Sequence, residues 1–205
     1  MLKYIIFDFD GTLADTYEEV KKVIEEFKDY RTKRINFEDI RDKGIRSLVK
    51  EAKIPFWQIP KASKKVMKKL RKKENIELFP EMRSVINWLN ERYKLGIVSS
   101  NSKQNIKKNL RVNNLLGSFC FTFSGSSLFG KHRVLKKAIK KYSLNPNEVI
   151  YIGDEDRDII AAKKAGIRII AVSWGFNSKK RLIKENPDYI AESPKELIKI
   201  IQNIK

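Results

Sequence analysis

Hydrophobic positions along the chain fall into short apolar runs separated by longer stretches with helical periodicity. Four runs rich in β-branched residues have the length expected of buried strands, at residues 3–9, 95–99, 148–152 and 167–172. Each of the last three follows a helical pattern, and alternating helices and strands predict a parallel sheet covered by helices. We therefore expect an α/β fold with helices on both faces of a parallel sheet.

Residues 15–81 differ from the remainder because they show helical periodicity and no convincing strand pattern. Three helices are predicted there, at residues 17–30, 37–52 and 60–74. We therefore predict two domains: an α/β core formed by residues 1–14 and 82–205, and a small α-helical domain, residues 15–81, inserted into it.

Polar residues end three of the predicted strands: Asp8 and Asp10 end the first, residues 99–101 the second and residues 153–158 the third. The carboxyl ends of parallel strands meet in one crevice, so these side chains are expected to converge. Carboxylates crowded together repel one another, and a divalent cation is the simplest compensation. Oxygen ligands favour Mg²⁺, and no loop with calcium-binding spacing is present, so Asp8, Asp154 and a backbone carbonyl are predicted to hold Mg²⁺.

This set of residues suits the transfer of a phosphoryl group. A carboxylate such as Asp8 can attack phosphorus, and the leaving oxygen then needs a proton from a nearby acid. Asp10 is two residues further on and shares a strand face with Asp8. Ser100, beside the predicted helix 102–111, and Lys131 are candidates to bind the phosphoryl oxygens.

The composition is that of a globular protein with an unusual charge. The formal net charge of the 205-residue chain is +19, which attracts anions such as phosphate esters or nucleic acid without distinguishing between them. A cationic amphipathic pattern at residues 61–73 fits either a solvated helix or an anion-binding surface. Cys120 lies in an apolar run and is predicted to be a buried core thiol.

The N-terminal sequence lacks the uninterrupted apolar stretch of a signal peptide or membrane span, because Asp8 and Asp10 interrupt it. We therefore expect a cytoplasmic protein with no membrane partner. A small phosphorylated substrate is the expected partner, and nucleic acid is possible without being required.

These motifs together resemble the phosphatases of the haloacid dehalogenase superfamily, in particular the phosphoglycolate-phosphatase-like group. The resemblance rests on Asp8–Leu13 (DFDGTL), on Ser100–Asn101, on Lys131 and on Gly153–Asp158 (GDEDRD), and it covers essentially the whole chain. It implies a Rossmann-like core and a helical, C1-type cap formed by the inserted domain.

The resemblance also implies residue roles. Asp8 is the nucleophile and a metal ligand, Asp10 is the acid/base and a ligand through its carbonyl, and Asp154 is a ligand. Asp158 supports the metal site or Lys131. Substrate contacts are implied for Gly11, Thr12, Ser100, Asn101, Lys131 and, in the cap, Arg46. Ester hydrolysis is favoured over dehalogenation, because the dehalogenases of the superfamily lack an acid at the position of Asp10.

Among the positions that depart from the family pattern, His132 replaces the usual proline after Lys131, and Glu155 replaces the common Thr or Ser after Asp154. Glu81 also replaces a common glycine after Pro80. Glu155 could either tighten metal binding or pair with Arg157. The substrate stays open among phosphoglycolate, a sugar phosphate, a nucleoside monophosphate and pyrophosphate. A nucleic-acid-binding protein with little hydrolase activity is the alternative function, although such a protein has no need of both Asp8 and Asp10.

Overall fold

The computed structural model describes residues 1–19, 22, 41–44, 76–125 and 130–204. Its strands are β1 Tyr4–Phe7, β2 Lys94–Ser99, β3 Phe119–Ser124, β4 Val149–Gly153, β5 Arg168–Val172 and β6 Tyr189–Ala191. They form one parallel sheet in the order β3-β2-β1-β4-β5-β6. The four predicted strands and their parallel arrangement are confirmed, and the structure adds β3 and β6.

Helices connect the strands and follow local signals in the sequence. They are α1 Met82–Asn90, α2 Lys103–Val112, α3 Lys131–Lys141, α4 Asp156–Ala165, α5 Lys179–Lys184 and α6 Pro194–Gln202. The side chain of Ser102 caps α2 by accepting a hydrogen bond from the Asn105 backbone N–H at 3.2 Å. Gly166, with φ at 75°, ends α4 in the left-handed conformation that glycine adopts without strain.

The core consists of two apolar layers, one on each side of the sheet. Along β1, Ile5 and Phe7 point into one layer and Ile6 points into the other, as strand geometry requires. The first layer is covered by α1, α2 and α6, and the second by α3, α4 and α5. The prediction of helices on both faces is therefore confirmed.

The order of the strands reverses direction at β1, which has β2 on one side and β4 on the other. Residues that follow the carboxyl ends of these three strands therefore border one crevice. The Asp8 backbone N–H donates to the carbonyl oxygen of Ile152 at 2.8 Å, which places the end of β1 beside the end of β4.

The predicted cap, residues 15–81, lies mostly outside the described residues, so its boundaries and its three helices stay predictions. The chain leaves the core beside the point where it returns, because the Asp15 N–H donates to the Glu77 carbonyl at 2.9 Å. Arg41 lies between Asp15 and Glu77 in the sequence, and its carbonyl accepts a hydrogen bond from the Ser178 N–H of the core at 3.0 Å. Among the described residues, no helix combines the length and apolar character needed to span a membrane.

The prediction that Cys120 is a buried core thiol is wrong. Cys120 lies on β3 at the edge of the sheet, and its side chain is exposed. The register of β3 against β2 shifts at Cys120, since Leu95 pairs with Phe119 and Gly96 pairs with Phe121, so Cys120 is the extra residue of a bulge. Phe119 packs into the first apolar layer and Phe121 into the second, which leaves Cys120 outside both.

Candidate active site

The first wall of the crevice is the turn that follows β1. Asp8 is buried, and its Oδ1 accepts a hydrogen bond from the Phe9 backbone N–H at 2.7 Å. Gly11 then turns the chain with φ at 74°. A Cβ atom at Gly11 would lie 2.2 Å from Oδ2 of Asp154, so the close approach of this turn to the second wall requires glycine.

The second wall follows β4 and is centred on Asp154, whose two carboxylate oxygens are held by different parts of the chain. Thr12 Oγ1 donates to Oδ1 at 2.8 Å, and the Phe176 backbone N–H donates to Oδ2 at 2.8 Å. Gly175 allows this loop to lie close to Asp154, because the Cβ atom of any other residue at this position would lie only 2.3 Å from Asp154 Oδ2. These two hydrogen bonds therefore fix the orientation of the Asp154 carboxylate.

A cluster of acidic side chains lies between these walls. Asp8, Asp154 and Asp158 are buried, and each contributes one oxygen to a group whose members lie within 4.8 Å of one another. Lys131, the first residue of α3, is buried among them and forms ion pairs with both Asp8 and Asp158. Burial alone would lower the pKa of Lys131, but the charges of Asp158 and Asp8 outweigh it and raise that pKa well above its ordinary value.

Two carboxyl groups of this cluster, Asp154 and Asp158, have raised pKa values. Burial, followed by the charges of Glu155, Asp158 and Asp8, raises the pKa of Asp154 well above its ordinary value. Burial likewise raises the pKa of Asp158 to about 6, although Lys131 acts in the opposite direction. A divalent cation among these oxygens would relieve both desolvation and mutual repulsion, so the donor set fits Mg²⁺.

Asp10 lies in the same crevice and is oriented by a side chain from the end of β2. Asn101 Nδ2 donates to Asp10 Oδ1 at 3.0 Å, while Asp10 Oδ2 is buried with no hydrogen-bond partner among the described residues. Asn101 is itself fixed, because its Oδ1 accepts hydrogen bonds from the Ser102 N–H at 2.7 Å and from Asn105 Nδ2 at 3.1 Å. Burial and the neighbouring charge of Asp8 raise the pKa of Asp10 to about 7.

A family model described as haloacid dehalogenase-like hydrolase matches residues 5–172 of the chain. The chain belongs to this family. The resemblance stated from the motifs is therefore confirmed.

Several proteins are similar to this haloacid dehalogenase-like hydrolase over nearly their whole length. A phosphoglycolate phosphatase from Synechococcus elongatus is 32% identical over 99% of both chains. A pyrophosphatase PpaX from Oceanobacillus iheyensis is 27% identical, over 98% of this chain and 97% of its own. A haloacid dehalogenase-like family protein from Streptococcus pneumoniae has the same fold, with a TM-score of 0.79 at 24% identity over 98% of this chain and 99% of its own. The prediction of a phosphatase-type enzyme is confirmed by the names of the first two relatives.

The structure brings most of the predicted site residues of this hydrolase into one crevice, although two substrate candidates have protein partners there. The hydroxyl of Thr12 is bonded to Asp154, and the amide of Asn101 is bonded to Asp10. Ser100 follows β2 and is partly buried, and its hydroxyl makes no hydrogen bond within the described part of the chain. Arg46 lies outside the described residues, so its contact with substrate stays a prediction.

The departures from the family pattern at Glu155 and His132 also have defined positions. Glu155 is buried and forms an ion pair with the part-buried Arg157, which matches one of the two alternatives left open for it. The Glu155 backbone N–H donates to Asp158 Oδ2 at 3.0 Å, so Asp158 caps the start of α4 with one oxygen and pairs with Lys131 through the other. His132 is partly exposed beside Lys131.

Sequence reasoning missed the backbone N–H of Phe176 as a partner of Asp154. The feature of the sequence that could have indicated this contact is Gly175 in the loop after β5. Because glycine has no side chain, the loop can lie close to the Asp154 carboxylate. Sequence reasoning also missed the hydrogen bond from Trp174 Nε1 to the Thr12 carbonyl at 3.1 Å, which ties this loop to the first turn. Both contacts join segments far apart in sequence, which motif spacing does not reveal.

Proposed function

We propose that this phosphatase hydrolyses a small phosphate monoester in two steps, by transferring the phosphoryl group to Asp8 and then to water. The observation that carries the proposal is the pairing of two neighbouring carboxyl groups with different environments, the buried Asp8 and the part-buried Asp10. Asp8 is paired with the Lys131 ammonium group, whereas Asp10 has one amide partner and a pKa raised to about 7 by burial and by Asp8. Such a difference separates a nucleophile from an acid.

In the first step, a carboxylate oxygen of Asp8 forms a bond to phosphorus while the bond between phosphorus and the ester oxygen breaks. The leaving oxygen takes its proton from Asp10. Asn101 donates to Oδ1 of Asp10, so Oδ2, for which the described part of the chain offers no hydrogen-bond partner, is the position for that proton. Because the pKa of Asp10 is about 7, a large fraction of this carboxyl group is protonated at neutral pH.

In the second step, Asp10 is ionised and accepts a proton from a water molecule. The oxygen of that water attacks phosphorus, the bond to Asp8 breaks, and the products are inorganic phosphate and the restored Asp8 carboxylate. The ammonium group of Lys131 and the hydroxyl of Ser100 are assigned to the phosphoryl oxygens, with Lys131 already held at Asp8 by its ion pair.

Mg²⁺ is assigned to Asp8, Asp154 and Asp158, together with the backbone carbonyl of Asp10. The supporting observation is that the three carboxylates are buried within 4.8 Å of one another and that burial raises the pKa of two of them. When bound, Mg²⁺ supplies positive charge against the carboxylates and the phosphoryl oxygens, which lowers their mutual repulsion.

The substrates named by the relatives are small anions, phosphoglycolate for one and pyrophosphate for the other. We place phosphoglycolate, a monoester, first, followed by pyrophosphate, a phosphoanhydride that the same two steps would cleave with phosphate as the leaving group, ahead of sugar phosphates and nucleoside monophosphates. Each carries a second anionic group beside the phosphoryl group, which suits a protein with a formal net charge of +19.

Phosphate release from these compounds, measured with Mg²⁺ and with a chelator, tests the proposal. Turnover should require Mg²⁺, disappear in Asp8→Asn and fall by about 10² to 10⁴ in Asp10→Asn. Protein quenched in acid during turnover should carry phosphate in a hydroxylamine-labile bond, and Asp8→Asn protein should carry none.

Asp188→Asn is the matched control, because Asp188 is exposed and accepts a hydrogen bond from the Ile169 backbone N–H at 2.8 Å, outside the crevice. It should retain full activity. Turnover that persists in Asp8→Asn would show that Asp8 is not the nucleophile.

A further inference from the structure

The charges of this protein are distributed very unevenly along the chain. Residues 92–147 contain twelve Lys and Arg residues and no Asp or Glu, whereas residues 148–204 contain ten basic and nine acidic residues. The positive net charge is therefore concentrated in the segment that forms β2, α2, β3 and the start of the next crossover, including α3.

The fold brings this segment to one edge of the sheet. β3 is the outermost strand on that side, and α2 and α3 cover opposite faces of the sheet next to it. Four Lys or Arg residues on α2 and five on α3, within residues 103–111 and 133–141, are exposed. We refer to these nine side chains as the basic edge.

Among the residues that the structure describes, no acidic side chain pairs with the basic edge. Within the described ranges, none of its nine side chains forms an ion pair, whereas on the opposite side of the sheet Lys179 pairs with Glu192 and Lys195 pairs with Glu81. The uncompensated field extends to His132, whose pKa is lowered by loss of solvation and by the charges of Lys164, Arg133 and Lys136. Positive charge of this density attracts a polyanion.

We infer that the basic edge is a binding surface for nucleic acid, recognised through its phosphate backbone. Along α3, the basic residues Arg133, Lys137 and Lys141 recur every fourth residue and are spaced about 6 Å apart along the helix axis. At this spacing, neighbouring cations can contact different phosphates of one nucleic-acid strand. Contacts of this kind are independent of sequence and release counterions.

The geometry favours nucleic acid over an anionic membrane. The cations lie on both sides of β3, and a flat surface cannot contact both sides at once, whereas a polymer can pass around the edge. Among the described residues of this region, Val112 and Leu116 are the only large hydrophobic side chains that are exposed. Membrane binding draws on a larger apolar face than these two side chains provide.

Fluorescence anisotropy with a labelled single-stranded oligonucleotide of about 20 nucleotides tests the inference. An oligonucleotide of this length is long enough for several of its phosphates to contact the basic edge at once. The triple variant Lys136→Gln, Lys137→Gln, Lys140→Gln should bind at least about tenfold more weakly at low salt. Its plot of log binding constant against log salt concentration should be shallower by about 2 to 3. Phosphatase activity should be unchanged, and binding should persist in Asp8→Asn.

The control variant carries the same change in net charge at the opposite side of the sheet, Lys184→Gln, Lys195→Gln, Lys199→Gln, and should lose less than about twofold in affinity. Equal losses in the two triple variants would overturn the inference, because they would show that overall charge rather than the basic edge binds the oligonucleotide. Binding to vesicles of anionic phospholipid without binding to the oligonucleotide would also overturn it.

Discussion

In the active-site crevice, Asp8, Asp154 and Asp158 are buried together with Lys131, whereas on the basic edge nine cationic side chains face solvent. Both regions carry an excess of one sign of charge. In the crevice, desolvation makes each charge depend on a specific partner, so one substitution has a large effect. On the edge, water and salt screen each charge, so single substitutions matter little and only sets of them have a large effect.

The sharpest test of this difference uses two lysines of the same helix. Lys131→Met removes the partner of Asp8 and Asp158 and leaves buried carboxylates uncompensated. In chelator at neutral pH, the free energy of unfolding should fall by about 3–5 kcal/mol, measured by urea denaturation.

Lys136→Met is the matched variant, because Lys136 lies on α3 and is exposed. It should change the free energy of unfolding by less than about 0.5 kcal/mol. Similar losses in the two variants would contradict the view that burial determines the energetic effect of these charges.

The pH dependence of stability provides a second test of the crevice. The pKa of Asp10 rises from 3.8 to about 7 on folding, so its favourable contribution is complete below pH 3.8 and is lost as the pH rises through 7. Asp158, with a pKa of about 6, acts in the same direction. In chelator, the free energy of unfolding should therefore fall by about 3 kcal/mol from pH 5 to pH 8 on account of Asp10 alone.

Asp10→Asn should remove the part of this pH dependence that Asp10 contributes, whereas Asp188→Asn should retain all of it. Saturating Mg²⁺ should stabilise the protein more at pH 8 than at pH 5, because the cation binds the ionised carboxylates. A free energy of unfolding that is constant over this range would show that the pKa values of Asp10 and Asp158 are not raised.

The sequence predicted the crevice better than it predicted the edge of the sheet. Asp8, Asp10 and Asp154 follow strands with strong apolar patterns, and parallel strands bring their carboxyl ends together whatever the loops do. Phe119–Ser124 and Tyr189–Ala191 were not predicted as strands. β6 has three residues, and β3 at the edge carries the exposed residue Cys120.

The partners of the site residues could not be predicted from motif spacing. Thr12 and Asn101 belong to motifs assigned to substrate, yet their hydrogen bonds go to Asp154 and Asp10. These contacts depend on how two loops approach each other across the crevice, which is determined by tertiary packing rather than by local sequence. Likewise, the sequence showed a net charge of +19, but the strand order was needed to place the acid-free segment at one edge.

Within the crevice, the contact between Thr12 and Asp154 should determine how tightly the metal binds. Thr12→Val keeps the shape of the side chain and removes the hydrogen bond at 2.8 Å that orients Asp154. The affinity for Mg²⁺, measured by calorimetry, should fall by about 10-fold to 100-fold. Thr122→Val on the edge strand β3 should leave it unchanged, and an unchanged affinity in Thr12→Val would show that the Phe176 N–H alone orients Asp154.

The smallest expected effect belongs to the basic edge and has the opposite sign. Lys137 is surrounded on α3 by Arg133, Lys140 and Lys141, three and four residues away, so it lies in a repulsive field. Lys137→Glu converts these contacts to attractions, and the new carboxylate precedes Lys141 by four residues, which is the favourable orientation for an ion pair on a helix. At low ionic strength the free energy of unfolding should rise by about 1 kcal/mol, and the gain should vanish in about 1 M salt because exposed charges are screened.

Lys199→Glu on α6 is the control for this last variant. Lys199 lies four residues after Lys195 and three residues after Glu196. A glutamate at this position would lose the attraction to Glu196 and gain an attraction to Lys195, so the two changes should offset each other. No gain is expected there. A gain of equal size in both variants would show that the overall net charge causes the effect. A gain that persists in high salt would show that packing rather than charge causes it. Either result would contradict the view that charges are screened on the basic edge and unscreened in the crevice.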